Sequence, residues 1–298
     1  MAEGVVECVP NVSEGRDHAV LERLAATVRA APGVRLANVH TDPDHHRSVL
    51  TFLGAPAAVE VAALGLAADV VATIDMQRHH GLHPRIGALD VLPFVPLRGV
   101  TMAETIALAR RVGQSIGERH ALPVYYYAHA ATRPTGRSLP ELRHGQYEGL
   151  LARLAAVDGE PDAGPARFDA RSGAVLVGAR DVLVAFNVWL DSADVEAARA
   201  LARTVRESSG GLPAVQAMGV FLVSRGVAQV ALNLTDYRVT PIPVVFDRVR
   251  VEAERLGIGI RRGELVGLAP RAAFAGRAPE TVGLDDFSND RLLDSWLD

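Results

Sequence analysis

Val34-Arg35-Leu36-Ala37-Asn38-Val39-His40, then a polar turn over Thr41–His46, then Ser48-Val49-Leu50-Thr51-Phe52-Leu53, read as two strands of one hairpin. Helical patterns flank the hairpin. Before it, Val20, Leu21, Leu24, Ala25 and Val28 fall on one face and predict a helix over 17–31. After it, an alanine-rich run predicts a long helix over 55–74. Val5–Val9 and Leu89–Val95 read as the outer strands, which completes the order β-α-β-β-α-β. A further helix over 101–119 follows, with Thr101 as N-cap and Glu104 at capping-box spacing, and then a strand over 123–128.

The second half repeats the logic. Residues 174–190 are strand-like, and a helix runs from Ser192 to about Glu207. Strands over 214–223 and 227–234 flank the tight turn Ser224-Arg225-Gly226. A helix over 240–256 and a last strand within 258–266 close the unit. The expected fold is therefore α/β of the α+β kind: two ferredoxin-like βαββαβ subdomains, residues 1–173 and 174–298, with helices outside. Facing β-sheets with a ligand groove between them are the simplest packing. The stretch from Ala155 to Ser172 is rich in Gly, Pro, Asp and Ala and reads as a long loop. The acidic tail from Phe274 reads as either a C-terminal helix or an arm for a partner subunit.

With 298 residues and 49% hydrophobic content, the chain can bury one large core or two smaller ones. A net charge of −4 makes no electrostatic case for nucleic acid or an acidic membrane. All 31 basic residues are arginine, a bias that genome composition accounts for, although single arginines suit bidentate carboxylate binding. The one cysteine, Cys8, excludes an intrachain disulfide and reads as a buried, inert thiol. The start, Met1-Ala2-Glu3-Gly4, lacks the features of a signal peptide, and no apolar run is read as long enough to cross a bilayer. A cytoplasmic location is expected.

Chemistry concentrates in His79-His80-Gly81-Leu82-His83-Pro84-Arg85, just before the strand at 89–95. Gly81 and Pro84 disfavour a regular helix there, so the imidazoles sit on a stiff loop braced by a core element. All ten histidines lie between His18 and His144. His83-Pro84-Arg85 with Gly87-Ala88-Leu89-Asp90-Val91 closely resembles the signature of glutamate formiminotransferases. Further blocks match in order: Glu7-Cys8-Val9-Pro10-Asn11, Ser13-Glu14-Gly15-Arg16, Arg47-Ser48-Val49, Tyr147-Glu148-Gly149-Leu150, Gly178-Ala179-Arg180, Ala185-Phe186-Asn187, Gly210-Gly211-Leu212-Pro213 and Asp236-Tyr237.

The resemblance implies transfer of a formimino group from N-formimino-L-glutamate to N5 of tetrahydrofolate in histidine degradation. Tetrahydrofolate is then the co-substrate, and no metal is expected. A homodimer is implied, without nucleic acid or membrane. It implies that His83 is the proton-transferring residue; one imidazole suits both proton steps because its ordinary pKa of about 6.5 lies near working pH. Candidate substrate- or folate-binding residues are Arg47, Arg85, His80, Asp44, Gly164, Pro165, Gly173, Arg180 and Asn187. Gly164 to Gly173 is expected to line part of the folate site. Arg85 either clamps a substrate carboxylate or braces the loop through Asp90, and Asp44 is a candidate to orient an imidazole. His40, His129 and Ala163 depart from the family's usual residues and put donor specificity in question. The cyclodeaminase region fused to some relatives has no counterpart here, so the product is expected to pass to a separate protein.

Three other readings stand beside this one. The first is a metal hydrolase using His79, His83 and the acidic turn, although Gly81 and Pro84 break the helix that i,i+4 ligation needs. The second is a non-catalytic folate-binding protein. The third is one-carbon transfer from 5-formyl-tetrahydrofolate on the same scaffold, which would share every motif.

Overall fold

A computed structural model describes residues 4–133 and 138–297; Met1–Glu3, on which the reading of the N-terminus partly rests, lie outside the described residues. The chain divides into two compact units, Met1–Arg180 and Asp181–Asp298.

The first unit runs β1 (Val6–Cys8), β2 (Asn11–Val12), α1 (His18–Ala30), β3 (Val34–Asp42), β4 (Arg47–Gly54), α2 (Pro56–Thr73), β5 (Leu89–Pro96), α3 (Met102–His120), β6 (Val124–Ala128), α4 (Leu139–Leu142), α5 (Leu150–Ala155) and β7 (Val175–Ala179). Pro10 has no N–H to give a ladder, and it separates β1 from β2. Both segments pair with β4 on one side and β5 on the other. With β3 beyond β4, this is the strand order of a ferredoxin-like unit. The sheet is then extended beyond β5 by β7 and β6, both in parallel pairings.

Val6, Cys8, Leu50, Phe52, Leu92 and Phe94 project from the sheet into a core shared with α1, α2 and α3. A smaller cluster, including Ile86, Val91, Tyr125, Tyr127 and Leu176, is built with Leu142 and Leu150 of α4 and α5. The Asp17 carboxylate caps α1 by accepting from the amides of Ala19 and Val20. The capping box expected at Thr101 and Glu104 is present in full.

α2 corrects one expectation. By length and composition it could cross a membrane, with 18 residues at a mean hydropathy of 1.5. Here Val59, Ala62, Ala63, Leu66, Ala67 and Val70 pack in the first unit's core instead.

The single strand expected over 174–190 is two strands. Val175–Ala179 lies between β5 and β6 in the first sheet, and a separate strand, Val184–Leu190, opens the second. Arg180-Asp181 is the polar break at the change of sheet, between two strands that are almost wholly buried.

The second unit runs β8 (Val184–Leu190), α6 (Val195–Val205), β9 (Val215–Leu222), β10 (Val227–Leu234), α7 (Ile242–Arg255) and β11 (Ile260–Val266). The strand order β11-β8-β10-β9 is again ferredoxin-like. The cap of α6 is Asp194, whose carboxylate accepts from Glu196 and Ala197, and not Ser192. The tail after Phe274 is not one continuous helix but a series of short 3-10 turns, Pro279–Val282, Asn289–Arg291 and Leu293–Trp296, docked on its own unit. Phe274, Val282, Leu284 and Leu292 are buried in this unit's own core. Arg291 fastens the tail by donating to the carbonyls of Leu265 and Gly267.

Candidate active site

The hairpin turn between β3 and β4 packs directly on the histidine loop. The Leu82 amide donates to the Asp44 carbonyl at 3.1 Å, and the rings of His46 and His79 stack with centroids 4.3 Å apart. Gly81 serves this contact by its missing side chain and not by a special turn. A Cβ at residue 81 would lie 2.3 Å from the His45 carbonyl oxygen. Downstream, the loop is tied to segments far away in sequence. Ser13 donates from its amide to Ala88 and from its hydroxyl to Gly87. Ala88 donates to Ser172, Ala174 donates to Ile86, and Gly87 bridges to Gly173.

Hydrogen-bond partners assign the protons on two imidazoles. His83 Nδ1 lies 2.7 Å from the Pro84 carbonyl oxygen, which only accepts. The proton is therefore on Nδ1, and Nε2 carries the lone pair. His79 Nε2 lies 2.7 Å from the His46 carbonyl, while its Nδ1 accepts from Arg85 Nε at 3.2 Å. His79 is thus the neutral Nε2–H tautomer. His46 faces acceptors at both nitrogens, the His80 carbonyl at 3.0 Å and the Glu14 carboxylate at 3.2 Å.

The electrostatics agree. Burial lowers the His79 pKa to about 4, with the charges of His46 and Arg85 pushing the same way. Burial, then the nearby guanidiniums of Arg47 and Arg143, hold His83 well below the usual histidine value. Burial works to raise the Glu14 pKa, but the hydrogen bond from His46 and the amides of Asp17 and Arg16 outweigh it and hold the carboxyl at about 2.

Asp90, fully buried, organises the floor of the site. Its carboxylate accepts from the Ile86 amide at 2.8 Å, from Arg47 at 2.7 Å and from Arg143. The two guanidiniums keep it ionised against the cost of burial. The loop-bracing partner expected for Arg85 is therefore taken by other residues. Arg85 instead forks onto Glu148, with contacts of 2.6 and 2.8 Å, and also reaches Gln146.

The expected site residues thus separate. His83, Arg47, Arg85 and the Asp44 backbone come together around the loop. His80 is exposed, and its carbonyl accepts from Arg16 and His46. The carboxylate seen to receive an imidazole is Glu14; Asp44 contributes its amide to the Asp42 side chain and its carbonyl to Leu82. Gly173 touches the loop through Gly87, whereas Gly164 packs against Gly117 and the Leu122 carbonyl. The amide following Pro165–Ala166, that of Arg167, turns back to donate to Pro165. Arg180 lies beside Glu7, Cys8 and Tyr127. Asn187, in the second unit, donates to Glu264, which also accepts from Trp189 and Gln229. His40 pairs across from Val49 in the hairpin, and His129 donates its amide to Ala179.

Glu14, Glu148, Asn11 and Arg143 were not singled out from sequence as functional. The first three lie in quoted family blocks, which was their available signal; Arg143 lies outside those blocks. Among the described residues no group of three or more His, Cys, Asp or Glu side chains is placed to hold a metal ion.

Two family models match the chain. Residues 5–180 match the formiminotransferase domain's N-terminal subdomain, and residues 185–279 match the formiminotransferase domain. A glutamate formimidoyltransferase of Streptococcus pyogenes serotype M1 is 38% identical over 294 residues, covering 98% of each chain. One from Thermoplasma acidophilum is 39% identical over 297 residues, 99% of this chain and 97% of the relative. The formimidoyltransferase-cyclodeaminase of Sus scrofa is 42% identical over 276 residues, which is 91% of this chain and 51% of that longer protein.

Proposed function

The chain belongs to the formiminotransferase domain family, and on that footing we propose that it moves the formimino group of N-formimino-L-glutamate to N5 of tetrahydrofolate. L-glutamate and 5-formimino-tetrahydrofolate are the products, and the step belongs to histidine degradation. The observation that carries the reading is the state of His83: Nδ1–H is committed to the Pro84 carbonyl, so the Nε2 lone pair is the reactive edge.

The reaction makes one bond and breaks one. N5 attacks the amidine carbon and loses a proton as the N5–C bond forms. The C–N bond to glutamate then breaks, and the glutamate nitrogen leaves with a proton. His83 Nε2 accepts the first proton and returns it to the departing nitrogen, so the ring ends as it began. Lowering its pKa keeps the imidazole unprotonated and ready at neutral pH. Asp90, through the Ile86 amide, fixes the backbone two residues after Pro84, and Arg85 with Glu148 fixes the residue between. Holding the base and both reactants in register supplies a further share of the rate.

Transfer to tetrahydrofolate by the purified protein tests the reading, with His83→Ala and an EDTA-treated sample in parallel. Activity that survives EDTA and falls ~100-fold or more in the variant is the expected result. Folate binding without transfer would overturn it in favour of a binding role, and transfer only from 5-formyl-tetrahydrofolate would move the donor.

The proposed folate contacts at Gly164, Pro165, Gly173, Arg180 and Asn187 are tested by folate titration of Arg180→Ala and Asn187→Ala. A homodimer and a cytoplasmic location complete the reading. Sedimentation and cell fractionation test them.

A further inference from the structure

We propose that Arg143 receives a carboxylate of the donor beside His83 and so sets which amidines the protein accepts. This rests on the transfer reaction above. The argument starts from donors already in use. Arg47 gives Nη1 to Asp90 and Nε to Asn11. Arg85 gives both terminal nitrogens to Glu148 and Nε to His79. These two arginines, the clamps suggested by sequence, are occupied by protein partners.

Arg143 differs. It stands at the C-cap of α4, its side chain is only 12% exposed, and its terminal nitrogen reaches Asp90. Its Nε is buried with no hydrogen-bond partner among the described residues. A buried N–H without an acceptor costs about 1–3 kcal/mol, and such an atom in a native site calls for an acceptor from elsewhere.

Charge leads to the same residue. Glu148 pairs with Arg85, and Glu14 pairs with His46. Asp90 is one carboxylate serving two guanidiniums, Arg47 and Arg143, while the adjacent His83 is neutral. The triad of Asp90, Arg47 and Arg143 therefore carries one net positive charge beside the catalytic ring. A ligand carboxylate supplies both what the charge lacks and what Nε lacks, and a guanidinium offers Nε and a terminal nitrogen as a fork for it. The donor amidine carries two carboxylates, whereas a simple amidine carries none.

Calorimetric binding of N-formimino-L-glutamate and of L-glutamate to wild type, Arg143→Gln and Arg143→Lys tests the assignment without needing turnover. Steady-state kinetics with N-formimino-L-glutamate and with formamidine, the carboxylate-free amidine, run beside it. In Arg143→Gln, donor affinity is expected to fall ~100-fold, the loss typical of removing one partner of a buried ion pair. The KM for tetrahydrofolate should stay within a few-fold, and the preference over formamidine should collapse. Arg143→Lys should recover part of the donor affinity. If Arg143→Gln binds the donor like wild type, or if kcat falls with both KM values and the formamidine ratio unchanged, Arg143 only holds Asp90 and the proposal is overturned. A wild-type protein that binds the donor without transferring it would overturn the reaction alone. If Arg143→Gln does not fold, unchanged donor affinity in Arg143→Lys overturns the proposal, and a ~10-fold or greater loss with folate KM unchanged supports it.

Discussion

His46 and His79 stack almost parallel, 11° between ring planes, yet face different sets of partners. His46 lies between two acceptors, the His80 carbonyl and the Glu14 carboxylate, and His79 accepts from Arg85 while giving its one proton to the His46 carbonyl. Burial holds His79 neutral, and any positive charge on His46, with that of Arg85, works in the same direction. The pair forms the hinge pin between the β3–β4 turn and the catalytic loop. Arg85 continues the chain from His79 to Glu148, so one line of hydrogen bonds runs from Glu14 to Glu148.

Acid should loosen this line through His79. Its pKa falls from 6.5 to about 4 on folding, so the unfolded chain takes up the proton first. The stabilisation is full above pH 6.5 and is lost as pH drops towards 4, up to about 3 kcal/mol. Denaturant melts between pH 4 and 7 should show this slope, and a flatter slope in His79→Gln would assign it. An unchanged slope in that variant would place the titration elsewhere.

Asp90→Asn should lower stability by about 3–5 kcal/mol, because two buried guanidiniums lose their only shared anion. The Asn oxygen can still accept from the Ile86 amide, so Asp90→Ala should be worse. Urea unfolding of the two variants checks the order; equal losses would mean that the Ile86 hydrogen bond contributes nothing, and a wild-type-like Asp90→Asn would mean that the charge contributes nothing.

Glu7 gives a pH dependence of opposite sign. Burial, partly offset by Arg180, raises its carboxyl from 4.5 to about 7. The folded chain therefore favours the protonated form. This contribution is intact below pH 4.5 and is lost as pH rises towards 7, at most about 3 kcal/mol. Glu7→Gln, neutral at every pH, should gain stability relative to wild type at pH 8 and little at pH 4. A larger gain at pH 4 would reverse the assignment.

Strand and helix order followed closely from hydrophobic period, since amphipathic helices such as α3 and alternating strands such as β10 mark their own faces. The boundary between β7 and β8 is not marked by period, since both strands are buried on both faces; its one mark is the charged pair Arg180-Asp181. Within the site, His83 stood out by its surroundings in the chain, and Gly81 with Pro84 announced a stiff loop. The partners of Arg85 and Asp90 could not be read, because Glu148 and Arg143 lie 63 and 53 residues away in sequence. Side-chain pairing at such separations is a product of topology. The same limit applied to Glu14, which reaches His46 across 32 residues.

Gly81→Ala should impair transfer more than it impairs folding. The new methyl would meet the His45 carbonyl at 2.3 Å and must push the loop off the turn. A shift of about 1 Å at His83 costs ~100-fold in rate where the base must be in register. A fall in kcat with a melting temperature within a few degrees of wild type is expected; wild-type kcat would show that the loop moves without consequence.

The catalytic loop is closed from behind by residues 172–174, through the Ser172, Gly173 and Ala174 contacts to Ile86, Gly87 and Ala88. During synthesis, the loop leaves the ribosome some 90 residues ahead of the segment that seals it. His83 therefore has no finished frame until β7 slides between β5 and β6. Maturation of the reactive imidazole is thereby coupled to insertion of the last strand of its sheet, and a nascent chain stopped short of that strand holds the histidines but not the arrangement that makes one of them a base.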